Sequence, residues 1–181
     1  MLDNPPPLIK KHQYYGFSKL LMEKLLESSS KTRNGKIFVF KSALIVGDGI
    51  NNRQGNAVVK SIMDTIFNYK KEYDVWNRMN YFTSVQKLKE MMLYVVEEEK
   101  QFKNFEIFDA GWVEMNQHDF VRLILKRIGH DIPTLKLIES SSFERKVYAK
   151  TDARVKNFYP TKLDIEFGIN EMINNYRNSV N

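Results

Sequence analysis

The run Tyr14-Tyr15-Gly16-Phe17-Ser18-Lys19 opens a helical stretch, Leu20-Leu21-Met22-Glu23-Lys24-Leu25-Leu26-Glu27, and constrains the chain more than any other segment. Tyr15 and Lys19 are four residues apart, so on a helix their side chains share one face about one turn apart. A phenol beside an ammonium can move a proton, because a nearby cation favours phenolate and the pair can then exchange a proton with a substrate hydroxyl. Without further context the same residues read as an exposed helical Tyr and Lys. The apolar set (Tyr15, Phe17, Leu20, Leu21, Met22, Leu25 and Leu26) covers more than one stripe. It predicts a helix from about His12 to Ser28 that is buried on two sides.

The rest of the chain alternates short β-rich runs with helical ones. Residues 1–12 form a proline-rich lead-in whose Pro5-Pro6-Pro7 cannot sit inside a helix. Lys36 to Phe40 reads as a buried strand after the loop around Asn34-Gly35. Ser42 to Gly49 reads as a strand ending in a Gly-Asp-Gly turn. Ala57 to Tyr69 carries Val58, Ile62, Ile66 and Tyr69 at helical spacing. Tyr73 to Val85 alternates loosely and is rich in aromatics. Val85 to Lys100 predicts a helix with Leu88, Met91, Met92, Val95 and Val96 on its apolar face. Asn104 to Gly111 reads as a strand and Gly turn. Asn116 or Gln117 opens a helix that Gly129 ends after Ile128. Ile132 to Ile138 is a short strand, Ser140-Ser141-Ser142 a linker, and Ile165 to Arg177 a last helix.

Composition narrows the class. The 181 residues suffice for one ordinary domain or a small two-lobed one. With no cysteine there is no disulfide framework or thiolate metal site, and His12, His118 and His130 have no metal-ligand spacing. No metal is therefore expected. No run reaches the ~20 apolar residues that span a bilayer, and no signal pattern opens the chain, so the expected location is cytoplasmic, with no membrane partner. The formal net charge of +6 admits a nucleic-acid binder. The basic residues are interleaved with acidic ones, as in Lys87-Leu88-Lys89-Glu90, so no nucleic-acid partner is expected.

Taken in order, these segments resemble the C-terminal half of an extended short-chain dehydrogenase/reductase, the branch of NAD-dependent epimerases and dehydratases that act on nucleotide sugars. Tyr15 to Glu23 is similar to that family's active-site helix, with Pro5, Pro6 and Pro7 upstream and Gly16 directly after the Tyr. Ser42-Ala43-Leu44-Ile45-Val46-Gly47-Asp48-Gly49 resembles the family's Arg-Pro-x-Asn-x-Tyr-Gly-Pro-Gly segment after its sixth strand. Gly47 and Gly49 fall on the glycines, while Lys41, Ser42 and Val46 replace the Arg, Pro and Tyr. Tyr73 to Val85 resembles the stretch that leads through an Arg into Phe-x-x-Val-Asp-Asp, with Gln86 and Lys87 in place of the two acids. Asn104 to Gly111 resembles the seventh strand. Thr151 to Leu163 resembles the C-terminal signature in which Ser-Lys or Ala-Arg leads into Pro-Thr.

The resemblance implies an α/β fold: the C-terminal portion of a Rossmann-like fold, with its last parallel strands and a small substrate-binding lobe. The chain is expected to be a single truncated unit over 1–181. Residues 1–56 would be the Tyr-helix and strand of the Rossmann part. Residues 57–181 would be mostly the substrate-binding lobe, with one returning Rossmann strand at about 104–110. The resemblance implies Tyr15 as catalytic acid/base, supported by Lys19. It places Tyr15, Lys19, Ser42, Ala43 and Leu44 against an NAD or NADP cofactor and Arg78 against the diphosphate of a nucleotide-sugar substrate. No G-x-G-x-x-G turn occurs, so the dinucleotide-binding half is expected to be absent. The chain alone is then expected to be inactive, with cofactor binding by it left open. Its uncovered surfaces would be met by self-association or by a missing N-terminal half. The alternative is a non-catalytic sugar-nucleotide-binding or assembly module.

Overall fold

The structure is a computed structural model that describes residues 11–47, 72–77, 79–129, 134–139 and 152–180. The expected helix at 57–69, the Ser140–Ser142 linker and Arg78 lie outside the described residues.

Helix α1 (Lys11–Ser30) leads through a turn into strand β1 (Ile37–Lys41). β1 pairs in parallel with β5 (Phe105–Asp109), in the register Ile37 opposite Phe105 through Lys41 opposite Asp109. β1 is apolar from Ile37 to Phe40, whereas β5 carries Glu106 and Asp109 among Phe105, Ile107 and Phe108. Helix α2 (Val85–Glu97) covers one face. There Met91 and Val95 pack with Phe102, Phe108 and Ala110, backed by Phe38 and Phe40. Phe38, Phe102 and Phe108 meet edge to face, and Phe40 stacks on Phe108 with ring centroids 5.4 Å apart. α1 lies on the other face, where Glu23 pairs with Lys41 at 2.9 Å.

A second sheet runs β2 (Leu44–Val46), β4 (Met79–Ser84), β6 (Val113–Asn116). β2 and β4 are parallel, and β4 and β6 antiparallel. A third, parallel pair joins β3 (Glu72–Asn77) to β7 (Thr134–Glu139). Helices α3 (Gln117–Ile128) and α4 (Lys162–Val180) close the second core. Phe82 stacks on Phe120 at 4.3 Å there, among Val46, Val75, Ile124, Ile165 and Ile169.

Local chemistry sets the helix ends. Ser84 accepts the Lys87 N–H to start α2, and Asn116 accepts the His118 N–H to start α3. Gly129 stops α3 in the left-handed region at φ 77°. Thr161 and Asp164 bond reciprocally at the start of α4, a capping box built with Asp.

The strands and helices expected within the described residues are present, with four differences. α1 is not buried on two sides: seven large apolar side chains from Tyr14 to Leu25 are half or more exposed. It touches the sheet chiefly through its C-terminal half, where Glu23, Leu26 and Ser30 are covered. α2 ends at Glu97, and a 3₁₀ turn follows at Glu99–Gln101. Lys36 Nζ donates to the Glu99 and Phe102 carbonyls beside that turn. Of the predicted apolar face of α2, Met91 and Val95 are buried while Met92 and Val96 face solvent. Strand β6 was not expected. Its four residues, Val-Glu-Met-Asn, are too few to show a period.

Gly168 in α4 lies against the end of β2, where a Cβ would stand 2.9 Å from the Val46 carbonyl oxygen. Gly168→Ala is therefore expected to destabilise by about 1–3 kcal/mol, against the gain of up to about 1 kcal/mol that the same change brings in an unobstructed helix. Urea unfolding measures it, and an unchanged or raised midpoint would contradict this close approach.

Candidate functional site

Parallel strands bring their C-terminal ends to one edge of a sheet, and in open α/β folds ligands bind outside that edge. Here the edge is made by Lys41 of β1 and Asp109 of β5, and the Ala110 N–H donates to the Lys41 carbonyl at 2.8 Å. The chain then leaves β1 through Ser42 and Ala43 into β2. Ser42 is exposed and Ala43 half-buried. The Ala43 N–H donates to Thr83 Oγ1 at 3.2 Å, and that fully buried hydroxyl donates to the Gly111 carbonyl at 2.8 Å. One side chain thus fixes the exits of β1 and β5 relative to β4.

α1 returns along β1 in the opposite direction, its Glu23 level with Lys41. Each helical residue rises 1.5 Å, so Lys19 lies about 6 Å and Tyr15 about 12 Å further along α1, beyond the C-terminal edge of the strands. Lys19 Nζ sits 5.3 Å from the centre of the Tyr15 ring. The expected one-face geometry of the pair is therefore present. Ser18 donates to the Tyr15 carbonyl at 2.8 Å, an interaction within the helix. Tyr15 is 68 % exposed.

Asp109 is half-buried at the strand end. Burial pushes its carboxyl pKa up, opposed by the hydrogen bond it accepts from the Gly111 N–H at 3.2 Å and by Lys41. Gly111 turns at φ 67°, and a Cβ there would meet the Tyr159 ring at 2.5 Å. Burial also raises the Tyr159 pKa; its hydroxyl accepts the Asp152 N–H at 3.0 Å. Arg154 donates to Asp152 and Glu106 and lies 5.0 Å over Phe102, fastening the segment after residue 151 to β5. The Arg154 bonds hold the Asp152 carboxyl below its usual range.

The structure places Tyr15 and Lys19 together on α1 and Ser42, Ala43 and Leu44 at the exit of β1. Arg78 is outside the described residues. Sequence reasoning missed Thr83 and Asp109. Thr83 lies inside a run rich in apolar residues and gives no sign of what its hydroxyl bonds. Asp109, two residues before Gly111 at a strand end, carries the ordinary signature of a side chain that caps a turn. Among the described residues no three His, Asp or Glu side chains cluster as metal ligands, and no helix is long and apolar enough to cross a membrane.

No protein-family model matches the sequence, and no curated protein matches it. Solved structures do match the fold. RMD from Pseudomonas aeruginosa, complexed with NADPH, is 15 % identical with a TM-score of 0.68, over 91 % of this chain and 56 % of its own. The UDP-glucose 4-epimerase of Thermotoga maritima, with UDP-glucose, is 17 % identical with a TM-score of 0.71, over 92 % and 54 %. The dTDP-glucose 4,6-dehydratase of Bacillus anthracis, in complex with NAD, is 14 % identical with a TM-score of 0.66, over 98 % and 55 %. The fold is thus a partial Rossmann-like α/β fold of the kind the sequence resemblance implied. The chain spans little more than half the length of these structures.

Because the fold raises the Asp109 pKa, ionising this carboxylate weakens the folded state as pH rises from its unfolded value through its folded one. Asp109→Asn keeps an oxygen that can accept the Gly111 N–H and removes that penalty. It is expected to raise Tm at pH 7 and to leave it unchanged at pH 3, where Asp109 is already neutral. Scanning calorimetry at the two pH values checks this, and a lower Tm at pH 7 would show that the charge on Asp109 is needed.

Proposed function

We propose that the chain is the C-terminal, substrate-binding part of an NAD(P)-dependent nucleotide-sugar epimerase, dehydratase or reductase. The supporting observation is the Tyr15–Lys19 pair on one helix face, 5.3 Å apart and beyond the C-terminal edge of β1 and β5, in a fold that enzymes of this kind share. In this reading Tyr15 gives or takes a proton at the sugar hydroxyl or keto oxygen. Lys19 supplies the cation beside the phenol. Ser42 to Leu44 border the nicotinamide end of the site, and Arg78 takes the substrate diphosphate as a bidentate donor. Residues 1–56 carry the Tyr helix and strand of the Rossmann part. Residues 57–181 carry mostly the substrate lobe, with the strand at about 104–110 returning to the Rossmann sheet.

A nicotinamide cofactor would supply the hydride acceptor or donor for such a reaction. The residues present do not seat its pyrophosphate, because the chain has no G-x-G-x-x-G turn between a strand and a helix. On its own the chain is therefore inactive in this reading. The same absence favours the second reading, a sugar-nucleotide-binding or assembly module without chemistry. In either reading the uncovered face of α1 is met by another folded unit, whether a second copy or a dinucleotide-binding half.

Calorimetric titration of the purified chain with NAD, and separately with UDP- and dTDP-sugars, tests the proposal. Sugar-nucleotide binding without NAD binding is expected. Tyr15→Phe is expected to change the sugar-nucleotide affinity less than about threefold, since the ring remains and only the hydroxyl is lost. Failure to bind any sugar nucleotide would overturn the substrate assignment. Turnover by the isolated chain with NAD and a sugar nucleotide would overturn its incompleteness.

A further inference from the structure

The geometry points to Glu23 and Lys41 as positioning residues for the Tyr15–Lys19 pair: their ion pair sets the roll and the register of α1 over the end of the sheet. The inference rests on the reading of Tyr15 and Lys19 as a proton-transfer pair and names what holds them in place.

Every residue of α1 from Tyr14 to Met22 is exposed, and Glu23 is the first that is partly covered. Among the described residues Glu23 is therefore the hold on the helix nearest to Tyr15. Its side chain is only 19 % exposed, and the cation within ion-pairing distance is Lys41, at 2.9 Å. A carboxylate drawn out of water needs a partner. This one finds it in a single direction, toward the end of β1.

Lys41 is itself tied to the sheet. It is the last residue of β1 and stands in register with Asp109, the last residue of β5. Register partners on neighbouring parallel strands point to the same face. Glu23, Lys41 and Asp109 therefore meet at the strand ends, on the face that α1 covers. The Lys41 ammonium also opposes the rise that burial imposes on the Asp109 carboxyl, as a cation lying between two carboxylates does.

Tyr15, Lys19 and Glu23 follow one another at intervals of four, along one ridge of the helix. A roll that turns Glu23 off Lys41 turns Lys19 and Tyr15 with it. At 1.5 Å of rise per residue Tyr15 stands about 12 Å beyond Glu23, so a tilt of about 10° there displaces it by about 2 Å. A proton-transfer group must come within about 2.6–3.2 Å of its partner, so that displacement breaks the contact. A partly exposed ion pair adds little to stability. The consequence of this one lies in where the phenol stands.

Double electron–electron resonance on the free chain tests this. The sequence has no cysteine. Ser18→Cys on the overhanging part of α1 and Lys103→Cys ahead of β5, both at exposed positions, therefore take nitroxide labels without competition. By helix and strand rise the two labels lie roughly 30 Å apart, a distance the method reads. Glu23→Gln and, separately, Lys41→Met are expected to widen the distance distribution at least twofold. Lys41→Arg keeps a cation for Glu23 and should keep the parent width. A charge swap is unsuitable, because Lys41→Glu would face Asp109 with a like charge. Helical circular dichroism should be unchanged in all three variants, and the melting temperature should stay within about 2 °C. An unchanged width in both Glu23→Gln and Lys41→Met would overturn the inference, as would a width that Lys41→Arg also increases. So would a loss of helical signal that accompanies the widening, because the pair would then keep α1 folded instead of placed. No ligand and no turnover enter the readout, so failed positioning and failed sugar-nucleotide binding are told apart.

Discussion

The buried hydroxyl of Thr83 holds the two cores of the chain in fixed relation. It accepts from Ala43 at the exit of β1 and donates to the carbonyl of Gly111 just past β5. A buried hydroxyl with both bonds made is stabilising, and one left unpaired is costly, so this contact has few alternatives. Around it the chain narrows: Gly111 has room for no side chain under Tyr159, and Gly47 none beside Val85. The position of Ser42–Leu44 follows from this knot, and with it the floor of any site beyond the strand ends.

The cover of the sheet is unequal. On the α2 side, Met91, Val95, Phe102 and Phe108 form a buried core. On the α1 side, the covered residues among those described lie in the C-terminal half of the helix, where Glu23 pairs with Lys41. That pair is partly exposed and by itself stabilises little. α1 thus carries residues suited to a core while it is held as a surface helix. The same helix presents Tyr15 and Lys19.

Much of the fold was legible because its signals are local. Asn116 or Gln117 and Gly129 marked the two ends of α3, the Ile-Phe-Val-Phe run marked β1, and the spacing of Tyr15 and Lys19 placed them on one helix face. What could not be read depends on contacts distant in sequence. The hydroxyl of Thr83 bonds a residue 40 positions away, and strand β6 exists because Val113 to Asn116 find β4. The apolar pattern of α1 predicted burial on two sides, and the described residues cover one. The pattern records what the helix can bury, and the structure records what this chain provides for it.

Methionine oxidation under hydroxyl-radical footprinting at low-micromolar concentration measures whether α1 is left uncovered. Met22 on α1 is 55 % exposed, whereas Met91 and Met172 are at or near zero. Rapid oxidation of Met22 and slow oxidation of Met91 and Met172 are expected in the same sample. Slow oxidation of Met22, at the rate of the two core methionines and unchanged on tenfold dilution, would mean that the chain buries α1 by itself.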